Sequence, residues 1–128
     1  MSESGVVKLS DFGLSVQLEH SCFRRSSMCE SWLYMAPEEC ENDAVLKSDV
    51  WSLGMSIIEM GEGKNPYARM TSEEFKDEVL NKPSPSLTSS RWSSCMIDFV
   101  KRCLVKDVNK RASVEDLLMV VLLLRYDD

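Results

Sequence analysis

The apolar positions between residues 48 and 60 predict a helix that is buried on every side. Ser48 or Asp49 can begin this helix, and Gly61-Glu62-Gly63 can end it. Its apolar side chains occupy every face of a helical wheel rather than one stripe, which is typical of a helix at the centre of a core. They are Val50, Trp51, Leu53, Met55, Ile57, Ile58 and Met60.

Two later helices begin with recognisable caps. Thr71 and Glu74 have the spacing of a capping box, and Ser113 and Asp116 repeat that spacing before a last helix over residues 114–124. Between them, a helix from about residue 93 has an apolar stripe at helical spacing. The members of the stripe are Met96, Val100 and Cys103.

The N-terminal third has a different pattern. The short β-branched run Val6–Leu9 predicts a strand, and residues 14–35 have neither helical nor strand periodicity, which indicates one long loop. Loops of this length inside compact domains are usually functional. A single strand has no partner within the chain, so we expect further structure upstream. The predicted fold class is mainly α: one short strand, a long loop and about four helices.

Composition and charge narrow the function classes. The chain has 128 residues, enough for one domain or part of a larger one, and its net charge of -6 argues against nucleic-acid binding. The longest apolar run, Leu117–Leu124, is far shorter than the roughly 20 residues that span a bilayer. No secretory signal is visible at the start. We therefore expect a soluble, cytoplasmic protein that binds neither nucleic acid nor membranes.

The cysteines do not predict a metal site. Five cysteines lie at irregular spacing, no C-x-x-C is present, and His20 is the single histidine. A structural zinc site usually has four Cys or His ligands at short paired spacings. We therefore expect free thiols, as is usual in a reducing cytosol.

Four motifs in a fixed order point to a known family. They are Asp11-Phe12-Gly13 after the predicted strand, Ala36-Pro37-Glu38 after the loop, Ser48-Asp49-Val50-Trp51-Ser52-Leu53-Gly54 at the start of the central helix, and the stretch from Asp107 to Arg111. In these motifs residues 5–124 resemble the C-terminal part of the large lobe of eukaryotic protein kinases. The sequence around these motifs looks most like that of a MAP kinase kinase. The resemblance divides the chain into an activation segment, residues 5–38, and a helical part, residues 47–124.

The resemblance implies a role for several of these residues. Asp11 corresponds to the ligand of the magnesium ion that accompanies ATP. Phe12 corresponds to the side chain whose packing sets the direction of Asp11. Gly13 gives the turn the backbone freedom that it requires. From its position alone, Asp11 could equally be an ordinary turn residue after a strand. Cofactors implied for a complete domain are ATP and magnesium, and we expect neither to bind tightly to this chain.

Three charged residues correspond to structural positions of the family. Glu38 and Arg111 look like its buried ion pair, which joins the end of the loop to the last helices. Without the resemblance they could be two solvated surface charges. Asp49 corresponds to a residue that hydrogen-bonds the backbone of the catalytic loop, although an ordinary helix N-cap would also explain it. Trp51 reads as a core residue.

The loop contains candidate regulatory and substrate-binding residues. Ser31, four positions before the Met-Ala-Pro-Glu stretch, supplies the hydroxyl typical of the serine/threonine branch, although Glu30 replaces the usual glycine. MAP kinase kinases have two phosphorylated hydroxyls four residues apart. The corresponding positions here are Ser21 and Ser27, which are six apart, and Ser26 is a neighbour that follows two arginines. A solvated polar loop is the alternative for each of these serines.

Several parts of a working kinase do not occur in this sequence. It has no Gly-rich loop after a strand, no strand lysine and no His-Arg-Asp catalytic base. Two hypotheses remain open: the chain is a piece of a serine/threonine or dual-specificity kinase, inactive by itself, or it is a non-catalytic interaction module. Expected partners are a protein substrate or an upstream kinase, and possible ones are a complementing kinase fragment or a chaperone.

Overall fold

Four α-helices form the protein in the computed structural model, which describes residues 5–15, 30–41 and 43–126. The helices are α1 (Ser48–Glu62), α2 (Ser72–Asn81), α3 (Ser94–Cys103) and α4 (Val114–Tyr126). Three short 3-10 turns precede them: Phe12–Leu14, Glu30–Tyr34 and Pro37–Glu41. The mainly helical fold class predicted from the sequence is confirmed.

Helix α1 lies at the centre of the core, as predicted, but it is not buried on every side. Val50, Trp51, Met55 and Ile58 are buried, whereas Leu53 and Met60 are 44% and 76% exposed. The expectation of burial on all faces is therefore wrong for the part of the chain that the structure describes. The described residues pack against one side of α1, so the opposite apolar positions face outward.

The sequence predicted the C-terminal end of α1 correctly but not its N-cap. Gly63 follows the helix with φ of 74° and donates its N–H to the carbonyl of Glu59 at 2.9 Å, so the predicted glycine stop is confirmed. At the start, Lys47 occupies the N-cap position and makes no side-chain capping bond. Neither Ser48 nor Asp49 is the N-cap, because both already lie in the first turn of the helix.

The caps predicted for the later helices are confirmed. The N–H of Thr71 donates to the Glu74 carboxylate at 2.8 Å, and the N–H of Glu74 donates to the Thr71 hydroxyl at 3.3 Å. Ser113 and Asp116 make the same reciprocal pair at the start of α4, at 2.8 and 3.1 Å. Such local signals do not depend on the rest of the fold, which is why the sequence predicts them well.

The predicted strand at Val6–Leu9 is wrong for this structure. These residues have no regular secondary structure, and Val7 and Leu9 are 75% and 87% exposed. A strand is stable only when it pairs with another strand or packs against a helix, and the described residues contain no strand to pair with. The short apolar, β-branched run alone was therefore not sufficient to form a strand.

Two close contacts fix the packing around α1. Gly54 lies where α1 crosses α3, because a Cβ atom there would come within 2.8 Å of the Cys103 Cβ. On another side, the Phe75 ring of α2 packs edge-on against the rings of Trp32 and Tyr67 at 5.0 and 5.1 Å. The 3-10 segments before α1 are thus packed against α2 as well. Among the described residues, no helix is both long and apolar enough to cross a bilayer.

Candidate functional site

Asp11 has an unusual backbone conformation. Its φ and ψ angles are 61° and 63°, and it is the one non-glycine residue with positive φ among those the structure describes. A 3-10 turn over Phe12–Leu14 follows, closed by a hydrogen bond of 3.0 Å from the Ser15 N–H to the Phe12 carbonyl. Non-glycine residues in the left-handed region are strained by about 1–3 kcal/mol and cluster at functional sites. Aspartate also tolerates this conformation in ordinary turns, so the geometry is compatible with both interpretations of Asp11.

The two residues after Asp11 differ from expectation. Phe12 is 66% exposed, so the packing expected of its ring is not met within the described residues. Gly13 does not have a positive φ, and a Cβ atom added there would meet only the Asp11 carboxylate, at an ordinary distance of 3.5 Å. The unusual backbone conformation that we expected at Gly13 therefore occurs at Asp11 instead. The turn places its strain on the residue that carries the carboxylate.

The residues present fit part of a magnesium site. Magnesium binds oxygen ligands and is often held by one or two carboxylates together with substrate phosphates and water. The Asp11 carboxylate is exposed on a turn and is available as one such ligand. No group of three potential metal-ligating side chains occurs among the described residues. The Asp11 carboxylate is therefore of the chemical type that a nucleotide-bound magnesium ion uses as a ligand.

The end of the activation segment is joined to the helical part by an ion pair. Glu38 lies in the 3-10 turn Pro37–Glu41, and its two carboxylate oxygens accept hydrogen bonds of 2.6 and 2.8 Å from the two terminal nitrogens of Arg111. The Arg111 side chain is fully buried. The structure thus brings together two residues that are 73 positions apart in the sequence.

The remaining N–H groups of the Arg111 guanidinium donate to backbone carbonyls. Its Nε donates to the Val105 carbonyl at 2.8 Å, and its terminal nitrogens donate to the carbonyls of Lys47 and Lys106 at 2.9 and 3.3 Å. The guanidinium also lies 5.2 Å from the centre of the Trp51 ring. A buried guanidinium is stable only when its donors are paired, and this one is paired on all sides.

The carboxylate of Glu38 is held in its ionised form. Burial alone would raise its pKa, but hydrogen bonds from Arg111, from its own backbone and from Ser48 bring the pKa below its usual value. The Ser48 hydroxyl donates to Glu38 Oε1 at 2.8 Å, and the Lys47 ammonium donates to the Arg111 carbonyl at 2.7 Å. The start of α1 is therefore part of the same network.

The predicted substrate loop is attached to α1 by Tyr34. Its carbonyl accepts from the Ser52 hydroxyl at 2.8 Å, and its phenol donates to a Glu59 carboxylate oxygen at 2.6 Å. The side-chain amide of Asn65 donates to the same oxygen at 3.1 Å. The hydrogen bond to Glu59, with smaller contributions from burial and from the charge of Glu59, raises the pKa of Tyr34. Ser31 lies in the same 3-10 turn, Glu30–Tyr34.

Other predicted site residues are not brought into these networks. Asp49 lies exposed in the first turn of α1, where a negative charge suits the helix dipole. The candidate regulatory residues Ser21, Ser26 and Ser27 lie outside the described residues. Their assignment stays a prediction.

Sequence reasoning missed six side chains of the two networks. Lys47 and Ser48 contact the Glu38–Arg111 pair. The other four form the network between the Glu30–Tyr34 turn and α1: Tyr34, Ser52, Glu59 and Asn65. A signal for Glu59 was present, since it is a carboxylate inside an otherwise apolar helix and such a group needs a partner. Ser48 gave no such signal, because its hydroxyl was already explained as a helix cap.

Comparisons with known proteins agree with this arrangement. A model of the protein kinase domain matches residues 1–122. The chain is 38% identical over 122 residues to the serine/threonine-protein kinase hippo of Drosophila melanogaster, with 92% of this chain and 18% of that protein aligned. It is 39% identical over 120 residues to the serine/threonine-protein kinase pakE of Dictyostelium discoideum, covering 92% of this chain and 13% of pakE.

A third relative belongs to the MAP kinase kinases. Mitogen-activated protein kinase kinase 2 of Arabidopsis thaliana is 33% identical over 135 aligned residues, which cover 99% of this chain and 37% of that protein. The chain therefore spans less than two-fifths of the length of each of these relatives. Because the family model covers nearly all of its residues, the chain belongs to the protein kinase domain family.

Proposed function

We propose that this chain is the C-terminal part of the large lobe of a serine/threonine or dual-specificity protein kinase that resembles a MAP kinase kinase. In a complete domain the activity is transfer of a phosphoryl group from ATP to a protein hydroxyl. The observation that carries the proposal is the Glu38–Arg111 pair, which joins the end of the segment that begins at Asp11 to the helical core. The serine/threonine kinases among its relatives support this reading.

Asp11 has the metal-binding role in this proposal. When bound, a magnesium ion neutralises the charge on the nucleotide phosphates. The left-handed backbone at Asp11 and the turn after it hold the carboxylate at a defined place at the start of the segment. Phosphoryl transfer depends almost entirely on positioning and on electrostatic stabilisation, so a carboxylate at this position would contribute to rate.

The segment between Asp11 and Glu38 supplies regulation and substrate binding. Phosphorylation of Ser21, Ser26 or Ser27 by an upstream kinase would add a strong negative charge beside Arg24 and Arg25. Ser31 would contact the protein substrate, in a loop that Tyr34 attaches to Ser52 and Glu59. We also propose a cytoplasmic location, where ATP and such partners are available.

A chimeric domain tests the proposal. The N-terminal part of the kinase domain of one relative, with its Gly-rich loop, strand lysine and His-Arg-Asp, is joined ahead of residue 5. We expect ATP-dependent phosphorylation of a protein serine or threonine, and loss of that activity in Asp11→Asn. Asp43→Asn, an exposed aspartate outside both networks, is the matched control and should keep the activity.

The non-catalytic interaction module is the competing function, and the same experiment separates the two. A chimera that unfolds cooperatively on heating, yet transfers no phosphate, would contradict the kinase proposal and favour the module. Activity that is equal in the Asp11→Asn variant would show that Asp11 does not hold the metal.

A further inference from the structure

Ser48 forms a side-chain hydrogen bond that does not serve its own helix. It is the first residue of α1 and only 4% exposed. Its hydroxyl donates to Glu38 Oε1 at 2.8 Å and accepts from the Val45 N–H at 3.0 Å. A capping serine would accept from an N–H inside the helix, whereas this hydroxyl accepts from an N–H before it.

The geometry at Glu38 shows what the hydroxyl adds. Arg111 donates once to each carboxylate oxygen, and Ser48 gives Oε1 a second donor. A bidentate arginine fixes the plane of the carboxylate only relative to the arginine itself. The serine relates the same oxygen to the start of α1, because Ser48 is the first residue of that helix, and its hydroxyl also accepts from the Val45 N–H just before the helix.

We propose that Ser48 is a positioning residue: its hydroxyl holds the Glu38 carboxylate against the start of α1 and so fixes the end of the activation segment. The inference rests on the proposed function, since it concerns the segment that this function would use. It adds a member to the Glu38–Arg111 pair. It predicts that removing the hydroxyl weakens the hold on Glu38 while the arginine remains in place.

Other charged groups close to Glu38 in space or in the sequence must be kept constant in any test. Arg111 comes from the segment between α3 and α4, and Lys47 at the start of α1 contacts the Arg111 carbonyl. Glu39 and Glu41 lie in the same 3-10 turn as Glu38, on either side of the Cys40 thiol, whose pKa burial raises to about 11. None of these groups is altered by a substitution at residue 48.

The test follows the titration of Glu38 in the full 128-residue chain. Glutamate labelled with carbon-13 at the side-chain carboxyl is observed by NMR between pH 2 and pH 8, and Glu38→Gln assigns the signal. We expect the midpoint of Glu38 to move upward in Ser48→Ala and to return toward the original value in Ser48→Thr, which keeps the hydroxyl. Ser56→Ala is the matched control, because that hydroxyl bonds the Ser52 carbonyl within the same helix.

A second variant covers the case in which Ser48→Ala does not fold. Ser48→Cys nearly keeps the volume of the side chain but donates a weaker hydrogen bond, so it should shift the midpoint in the same direction. An unchanged Glu38 midpoint in the folded variant, or an equal shift in Ser56→Ala, would overturn the proposal. No phosphoryl transfer is measured, so this result is independent of whether the proposed kinase function holds.

Discussion

The phenolic oxygen of Tyr34 lies 2.6 Å from a carboxylate oxygen of Glu59, and this contact joins the 3-10 turn Glu30–Tyr34 to the central helix. The two residues are 25 positions apart. Tyr67 provides a contrast, since its hydroxyl is buried and has no hydrogen-bond partner among the described residues. The two tyrosines therefore differ in what the hydroxyl contributes, although both rings are packed.

Removing the two hydroxyls should have opposite consequences. Tyr34→Phe deletes a donor to a charged acceptor, and we expect it to lower the free energy of unfolding by about 1–2 kcal/mol. Tyr67→Phe removes a buried group without a partner, so it should be neutral or stabilising. Urea unfolding at pH 7 measures both. Equal losses in the two variants would mean that the Tyr34–Glu59 bond contributes nothing specific.

The crossing of α1 and α3 should not tolerate a methyl group at Gly54. In an open helix, alanine would be more stable than glycine by up to about 1 kcal/mol. Here the added Cβ would lie 2.9 Å from Leu104 Cγ and 2.8 Å from Cys103 Cβ, so overpacking should cost about 1–3 kcal/mol and outweigh that gain. Thermal unfolding of Gly54→Ala checks this. A variant as stable as the original chain would mean that the two helices are further apart.

Glu62 should contribute to the pH dependence of stability. Hydrogen bonds from the backbone N–H groups of Thr88 and Ser89 lower its pKa against an opposing effect of burial, and the Trp92 indole and the charge of Arg91 lower it further by smaller amounts. A carboxylate with a lowered pKa in the folded state stabilises the fold above its unfolded pKa, and the effect is lost as the pH falls through the folded pKa.

The corresponding experiment compares Glu62→Gln with the original chain. At pH 7 the variant should be less stable, and the difference should shrink as the pH falls below about 4.5. Glu41→Gln, an exposed glutamate in the Pro37–Glu41 turn, is the control. Urea unfolding is followed by tryptophan fluorescence at each pH. A constant difference from pH 7 down to pH 3 would contradict the assigned role of Glu62.

A polypeptide of residues 1–128 should transfer no phosphate by itself. The sequence holds one candidate metal ligand but no Gly-rich loop, strand lysine or His-Arg-Asp base, and catalysis of this reaction is mostly positioning by those groups. A radiolabelled-ATP assay, with Asp11→Ala as the background, measures this. Transfer by the original chain above that background would contradict the expectation.

Local signals made much of the fold predictable from the sequence. The caps at Thr71 and Ser113 and the stop at Gly63 depend on neighbouring residues, and all three are present in the structure. The strand at Val6–Leu9 depended on a partner from elsewhere, and it is not formed. Burial of α1 also depended on elements outside the local sequence, so its exposed face could not be predicted.

The site was predictable where a family motif marks it and much less so elsewhere. The resemblance paired Glu38 with Arg111, which no spacing rule could do across 73 positions. The hydrogen bond of Ser48 to that pair is a tertiary contact, so a local reading assigned the hydroxyl to a cap instead. The positive φ of Asp11 was likewise not predictable, because in the sequence Gly13, two positions later, is the natural place for an unusual backbone conformation.

The central claim is that the Glu38–Arg111 pair fixes the end of the activation segment to the helical core, and a double-mutant cycle tests it most directly. Urea unfolding gives the stability of the original chain, Glu38→Ala, Arg111→Ala and the double variant. Each single variant leaves a buried charge unpaired, at a cost of about 3–5 kcal/mol, and the double variant should cost clearly less than their sum. Additive losses, within about 0.5 kcal/mol, would contradict the claim, because residues that do not interact behave in that way.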